Sequence, residues 1–293
     1  MEHKFNENNQ CPVCDSKKAE HYISALDHNV SMDVFHITSC IECGLKFTNP
    51  RPTEDTIGKY YLSESYVSHS GTKKGLINSL YHIVRKYQLK KKMKMITKFS
   101  SVKTLLDIGC GTGEFLRVFS KIGWDVSGIE PDKKARCYAE KNYELFIKET
   151  LKDYPNKPVS VITMWHALEH VYNLKEDLIK ISSLLIDKGY LIIAVPNCNS
   201  YDAKHYKEHW AAYDLPIHLY HFNKTDIENL CSQINFKLIE IKPLKFDSFY
   251  ISMLSEKKKK GSLAKALFIG LKSNLKARHK VNHSSLIYIL QKN

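Results

Sequence analysis

The sequence predicts an α/β fold: a seven-stranded, mostly parallel sheet with helices on both faces, preceded by a small zinc ribbon. Three observations carry that expectation. Apolar runs of strand length alternate with helical periodicities from residue 105 to the end. A glycine-rich turn joins the first of those runs to the helix after it. Two C-x2-C pairs lie close to the N-terminus. The 293 residues, 43 % hydrophobic and 26 % charged, have the composition of a globular protein and exclude a collagen-like or disordered chain.

The ribbon comes first. Cys11 and Cys14 form CPVC, and Cys40 and Cys43 form CIEC, with 25 residues between the pairs. Four thiolates spaced this way close a tetrahedral site around one zinc ion and leave no open position, so the metal is expected to be structural. Gly44 follows the second pair, where a knuckle turn favours positive φ. The other four cysteines, Cys110, Cys137, Cys198 and Cys231, show no such pairing and are expected in the core. The ribbon is assigned to residues 1–50 and a helical connector to 51–104. The connector carries Tyr60, Tyr61 and Tyr66, which either cover the site or pack beneath it. A basic helix over 76–99 follows, with Leu76, Leu80, Val84 and Tyr87 as its buried face.

Residues 105–293 form the main domain. TLLDI runs into Gly109-Cys110-Gly111-Thr112-Gly113 and then into a helix with Phe115, Leu116 and Phe119 at apolar spacing. Glycines there let backbone approach a ligand closely, and the helix start offers unpaired N–H groups. The next strand, WDVSGIE, ends in Glu130, 21 residues after Gly109, where Rossmann-type sheets place an acid on the ribose hydroxyls. Two departures from the dinucleotide fingerprint matter. Glu114 stands where the third glycine would be, and Asp107 would repel a diphosphate. An acid at that strand end suits a ligand with a cationic end, such as a sulfonium. Later strands are VSVITMW, LLIDKGYLIIAVPN, FKLIEIKPL and SSLIYILQK. Between the last two lies a basic helical insertion over about 246–283. In it Leu263, Leu267, Leu271 and Leu275 share a helical face. Such a stripe either packs as a lid on the core, the favoured reading, or lies on an anionic membrane.

With these motifs the chain resembles the class I S-adenosylmethionine-dependent methyltransferases. The resemblance rests on DIGCGTGEF, GIEPD, VSVITMWHALEHV, LLIDKGYLIIAVPN and DLPIHLYHFNKTDIENL, and it covers about 105–243 plus the closing strand. The four-cysteine segment with the LEH and PxH patterns is similar to enzymes methylating sugars, quinones or other small metabolites. The resemblance implies a Rossmann-like cofactor site in which Asp107, Gly109, Cys110, Gly111 and Gly113 line S-adenosyl-L-methionine and Glu130 binds its ribose. It also implies Pro131, Trp165 and His166 on the same rim, with Glu149 and Thr150 bordering the adenine.

Methyl transfer needs the nucleophile and sulfonium held in line, ~3–3.5 Å apart, and a base where the nucleophile must lose a proton. Histidine suits that role near neutral pH. His218 is the first candidate base and His166 the second. His170 and His221 are neighbours of the same kind, and Pro196 and Asn197 are expected to border the substrate. His166 to His170 also reads H-x-x-E-H, but it follows a strand rather than lying on one helix, which argues against a zinc protease.

Charge adds a partner expectation. The net charge of +13 sits in two basic blocks, Ser65–Leu106 and Ile251–Asn293, flanking a mildly acidic centre. The blocks fit an anionic small-molecule acceptor, nucleic acid or peripheral membrane contact, or are solvated helix faces. An RNA methyltransferase gripping the backbone is the second function, and a cofactor-binding module without turnover is the third. The Asn-Pro-Pro-Tyr motif of amino-directed nucleic-acid methyltransferases does not follow the fourth strand. With no apolar leader and no membrane-length apolar run, the expected location is cytoplasmic.

Overall fold

A computed structural model describes residues 5–8, 10–61 and 76–293, with side chains from residue 84 onward in the helix that opens the last stretch. The N-terminal segment builds strands β1 (Phe5–Asn6), β2 (Ala19–Leu26), β3 (Val34–Cys40), β4 (Lys46–Thr48) and β5 (Arg51–Pro52), then the short helix α1 (Glu54–Ile57). Helix α2 (Leu76–Ile96) leads into the main domain.

Seven strands make one sheet there: β6 (Thr104–Ile108), β7 (Asp125–Ile129), β8 (Phe146–Lys148), β9 (Val159–Trp165), β10 (Leu185–Pro196), β12 (Phe236–Pro243) and β13 (Ser285–Lys292). Their order is β12-β13-β10-β9-β6-β7-β8, with β13 antiparallel to both its neighbours and the others parallel. The central strand β9 is buried through its first six residues, as a strand covered on both faces must be. Helices α3 (Glu114–Ser120), α4 (Lys133–Tyr143), α5 (Leu174–Leu184), α6 (Tyr201–Tyr206) and α7 (Lys224–Gln233) connect the strands. Helices α8 (Asp247–Lys258) and α9 (Leu263–Ala277) form the insertion before β13.

The two faces of the sheet have separate apolar cores. One holds Phe115, Phe119, Trp124 and the end of α2 at Met95 and Ile96. The other runs without a break into the ribbon, through Phe35, Ile37, Leu45 and Phe47. The ribbon sheet takes its fourth strand, β11 (Tyr220–His221), from the main domain, in the order β11-β4-β3-β2. The ribbon is thus seated on the residues that follow β10.

Three expectations change, and one falls outside the described residues. Tyr87 is exposed, edge-on to Phe246, because α2 packs through Leu89, Met93, Met95 and Ile96 one stripe further round. Tyr66 and the side chains of Leu76 and Leu80 lie outside the described residues. Cys137 is exposed on α4, while Cys110, Cys198 and Cys231 are buried as expected. The leucine stripe of α9 faces outward. The inner face of that helix is Ala266, Ile269, Gly270, Ser273 and Ala277, small enough for α8 to come close. A Cβ on Gly270 would lie 2.9 Å from the Phe249 Cα. Ser273 and Ser284 donate to the buried Asp202 carboxylate at 2.6 and 2.5 Å, and Trp210 Nε1 donates to it at 2.8 Å. Close packing and a polar anchor outrank the leucines for the inside position.

Candidate functional site

The site lies at the C-terminal ends of β6 and β9, where open α/β sheets carry their ligands. Gly109, Gly111 and Gly113 all have positive φ. At Gly109 a Cβ would lie 2.9 Å from the Ala167 Cβ, and at Gly113 one would lie 2.6 Å from Leu145 Cδ1. The turn therefore needs glycine for both conformation and space.

The loop spends most of its donors on its own protein. The N–H groups of Gly109 and Cys110 go to the Ile129 carbonyl at 2.8 and 3.0 Å, and that of Gly113 goes to the Cys110 carbonyl at 3.0 Å. The Gly111 N–H donates to Glu130 Oε2 at 2.8 Å, and the Asp132 N–H to Glu130 Oε1 at 2.9 Å. A phosphate cradle needs such donors free. Here the groups beside the turn are carboxylates. Asp107 is buried and accepts from Thr163 Oγ1 at 2.5 Å; burial raises its pKa to about 7 against the opposing pull of Thr163 and Lys92. Burial also raises the Glu130 carboxyl, against its two N–H donors.

A cation already stands there. Lys92 of α2 places its Nζ 3.7 Å from the centre of the Trp165 ring. Burial lowers its pKa to about 8, while Asp107 and Asp247 act in the opposite sense. Trp165 packs edge-on to Phe115, and its buried Nε1 has no hydrogen-bond partner among the described residues. Two carboxylates, an aromatic face and an open indole N–H fit an adenosyl sulfonium better than a diphosphate. Around the rim, Arg136 donates to the Glu130 and Pro131 carbonyls at 2.7 and 2.6 Å and pairs with Glu149 at 2.7 Å. Thr150 donates through Oγ1 to Asp153 at 2.7 Å. The Cys110 side chain packs under the loop, where a Cβ on Gly128 would meet its Sγ at 2.5 Å. Its burial keeps the thiol protonated.

Next to this loop, His166 has φ +54, a conformation that costs a non-glycine residue energy and re-aims the chain as it leaves β9. Its Nε2 lies 3.2 Å from Asp247 Oδ2 and its Nδ1 3.5 Å from Glu169 Oε1. Burial alone would lower its pKa, but the two carboxylates outweigh it and raise it to about 10. His166 therefore stands as an imidazolium at neutral pH, a donor rather than a base.

His218 is in the opposite state. Its Nδ1–H donates to the Ala212 carbonyl at 2.9 Å, and burial lowers its pKa, so Nε2 keeps a lone pair. The His170 ring meets it edge-on, with centroids 4.6 Å apart. Burial, with the neighbouring His218 acting in the same sense, lowers His170 to about 4, and its Nδ1 lies 3.0 Å from the Ile217 carbonyl and 3.1 Å from Tyr61 Oη. Donor atoms of Glu169, His170 and His218 lie within 4.8 Å of one another, close enough to hold a cation. The Glu169 carboxylate is buried and has no hydrogen-bond partner among the described residues; burial pushes its pKa up, but the histidines around it, His166 foremost, hold it low. His221 points elsewhere. Its Nε2 is 3.1 Å from Thr48 Oγ1, whose hydroxyl donates to the His218 carbonyl at 2.6 Å. Asn197 is also structural, bonding Asn282 Oδ1 and the His283 carbonyl at 2.7 and 2.9 Å.

The four ribbon cysteines converge as their spacing implies. Cys11 and Cys43 sulfurs are 3.6 Å apart and those of Cys14 and Cys40 3.5 Å, with all four inside 4.8 Å. Disulfides need about 2.05 Å, whereas ~2.3 Å zinc–sulfur bonds put tetrahedral sulfurs roughly 3.8 Å apart. Lys92, Asp247 and Thr48 were not anticipated. Lys92 looks like any lysine of its basic block, and Asp247 and Thr48 reach the site only through tertiary packing.

Sheet order and loop together define a Rossmann-like α/β protein with a glycine-rich turn at the ligand end of its sheet. The chain belongs to the methyltransferase-domain family, whose profile matches residues 81–241. It is 35 % identical over 102 residues to a ubiquinone biosynthesis O-methyltransferase of Pelagibacter ubique, a match covering 32 % of this chain and 42 % of that one. A ubiquinone biosynthesis O-methyltransferase of Rhodopseudomonas palustris is 27 % identical over 104 residues, covering 32 % and 40 %. The chain thus spans about two fifths of the length of these relatives. The fold is shared with a SAM-dependent methyltransferase from Archaeoglobus fulgidus, at TM-score 0.50 and 21 % identity, over 71 % of this chain and 94 % of that one.

Proposed function

We propose that the chain transfers a methyl group from S-adenosyl-L-methionine to oxygen or carbon of a small metabolite of the quinone-precursor type. The observation that carries this reading is the loop: its N–H groups are largely consumed internally, while Asp107 and Glu130 present carboxylates. When bound, the cofactor supplies an electrophilic methyl on a sulfonium. Asp107 and Trp165 hold its cationic end and Glu130 its ribose, with Glu149 and Thr150 at the adenine side. His218 Nε2 takes the acceptor's proton, and the Glu169 carboxylate beside it stabilises the imidazolium that results. His166, fixed between Glu169 and Asp247 through both ring nitrogens, places a positive charge beside the reacting groups.

The names of the Pelagibacter and Rhodopseudomonas relatives support a quinone-type acceptor, and the basic blocks support an anionic one. The ribbon cysteines hold a structural zinc ion. Calorimetry with S-adenosyl-L-methionine, followed by an assay for S-adenosylhomocysteine formed with a phenolic acceptor, tests the reading. Binding without product under any acceptor leaves a cofactor-binding module, and no binding removes the reading. Glu130→Ala is expected to weaken cofactor binding about tenfold to a hundredfold, the value of a hydrogen bond to a charged group.

A further inference from the structure

The outward face of the α8–α9 hairpin has an exposure that the fold does not need. Leu263, Leu267, Phe268, Leu271 and Leu275 of α9 are between 47 % and 60 % exposed. On the adjoining helix Tyr250, Met253 and Leu254 are exposed as well. Scattered apolar residues are ordinary on a protein surface, but α9 alone carries five, four of them leucines at helical spacing along one side, and three more stand on the helix packed against it.

Charge names its partner. From Ile251 to Asn293 the chain has ten Lys or Arg against the single acid Glu256, which is 2 % exposed and paired with Lys265 at 3.6 Å. Lys272 and Lys276 flank the stripe with their ammonium groups over the Tyr201 ring, at 5.4 and 4.8 Å from its centre. A second copy of this chain would bring the same positive field against itself. An anionic bilayer surface meets both features, taking the leucines into the acyl boundary and the lysines at the headgroups. The 15 residues of α9 span only about 22 Å, short of a ~30 Å hydrocarbon core, and no helix among the described residues is long and apolar enough to cross a membrane. The helix lies on the surface rather than through it.

We propose that the α8–α9 hairpin is an interfacial docking surface for anionic lipid bilayers. Its position gives the contact a use. Asp247, the first residue of α8, is one of the two carboxylates that face His166, so the start of the docked hairpin borders the candidate active site. An apolar acceptor would reach the histidines from the lipid side. That consequence rests on the proposed methyl transfer, but the docking itself does not.

Co-sedimentation of the full chain with vesicles, without cofactor or acceptor, tests the docking separately from the chemistry. Phosphatidylcholine vesicles containing phosphatidylserine are expected to bind the chain, pure phosphatidylcholine vesicles weakly, and added salt to release it. The variant Leu267→Ser with Leu271→Ser is expected to lose at least ~tenfold in vesicle affinity with an unchanged thermal midpoint, because both residues are exposed. Three results would overturn the proposal: no binding to the anionic vesicles, binding unchanged in the variant, or a stable dimer of the parent chain that the variant abolishes.

Discussion

The glycine turn and the histidine cluster sit side by side at the ends of β6 and β9, yet they are built in opposite ways. The turn is local. Residues 107–130 supply its glycines, its two acids and most of its hydrogen bonds. The histidine cluster is assembled from distant segments: His166 to His170 after β9, Ala212 to His218 after β10, Asp247 on α8, Tyr61, and Thr48 from the ribbon. A local device survives where its few residues survive. A distributed one depends on every element that carries a piece of it.

The ribbon separates the two most sharply. Cys40→Ser, or stripping metal with a chelator, removes a site whose apparent folding contribution is ~10–16 kcal/mol in small zinc domains. The Thr48 and Leu219 contacts are expected to go with it, so turnover is lost while cofactor affinity stays within about threefold. Calorimetry and the product assay on one sample read both, and an equal loss of cofactor binding would break the comparison. His218→Ala acts next, lowering kcat by ~10²–10⁴-fold with the cofactor Kd unchanged. Full activity in that variant would take His218 out of the mechanism.

Gly113→Ala is the mirror experiment on the local side. Its φ of +75 and the 2.6 Å approach of Leu145 Cδ1 predict a loss of about 1–3 kcal/mol in chemical denaturation. Cofactor affinity should fall with it. The smallest effect is a pH dependence. Asp107 has its pKa raised to about 7, so it is neutral below that pH and charged above it. A cationic ligand prefers the charged form, so affinity for S-adenosyl-L-methionine rises with pH up to about 7, by at most ~tenfold per unit. Lys92, lowered to about 8, gives up its competing charge above that value. Calorimetry at successive pH values checks the slope; a flat profile would detach Asp107 from the cofactor's cationic end.

Much of this protein can be read from residue order because short-range rules govern it. The two C-x2-C pairs, the strand-to-glycine turn and the acid 21 residues on each depend on a few neighbours, and the structure places each where the spacing predicts. His218 is legible as a candidate for a different reason, since a histidine after β10 lies at the ligand end of the sheet. Its protonation state is not legible, and neither is that of His166. Two histidines of one type take different protonation states because burial prevails at His218, whereas at His166 two carboxylates outweigh it.

The α9 leucines show where periodicity runs out. A stripe of leucines at helical spacing marks an apolar face but does not say which way it turns. The serine and glycine face went inside because Asp202 needs donors and α8 needs close approach. Residue order by itself determined the sheet, the binding turn and the four-thiol cluster, through propensity, glycine conformation and ligand spacing. Tertiary structure decided the charge on each histidine, the cation held over Trp165 and the outward leucines. Those depend on what lies opposite in space, and the opposing groups come from far along the chain.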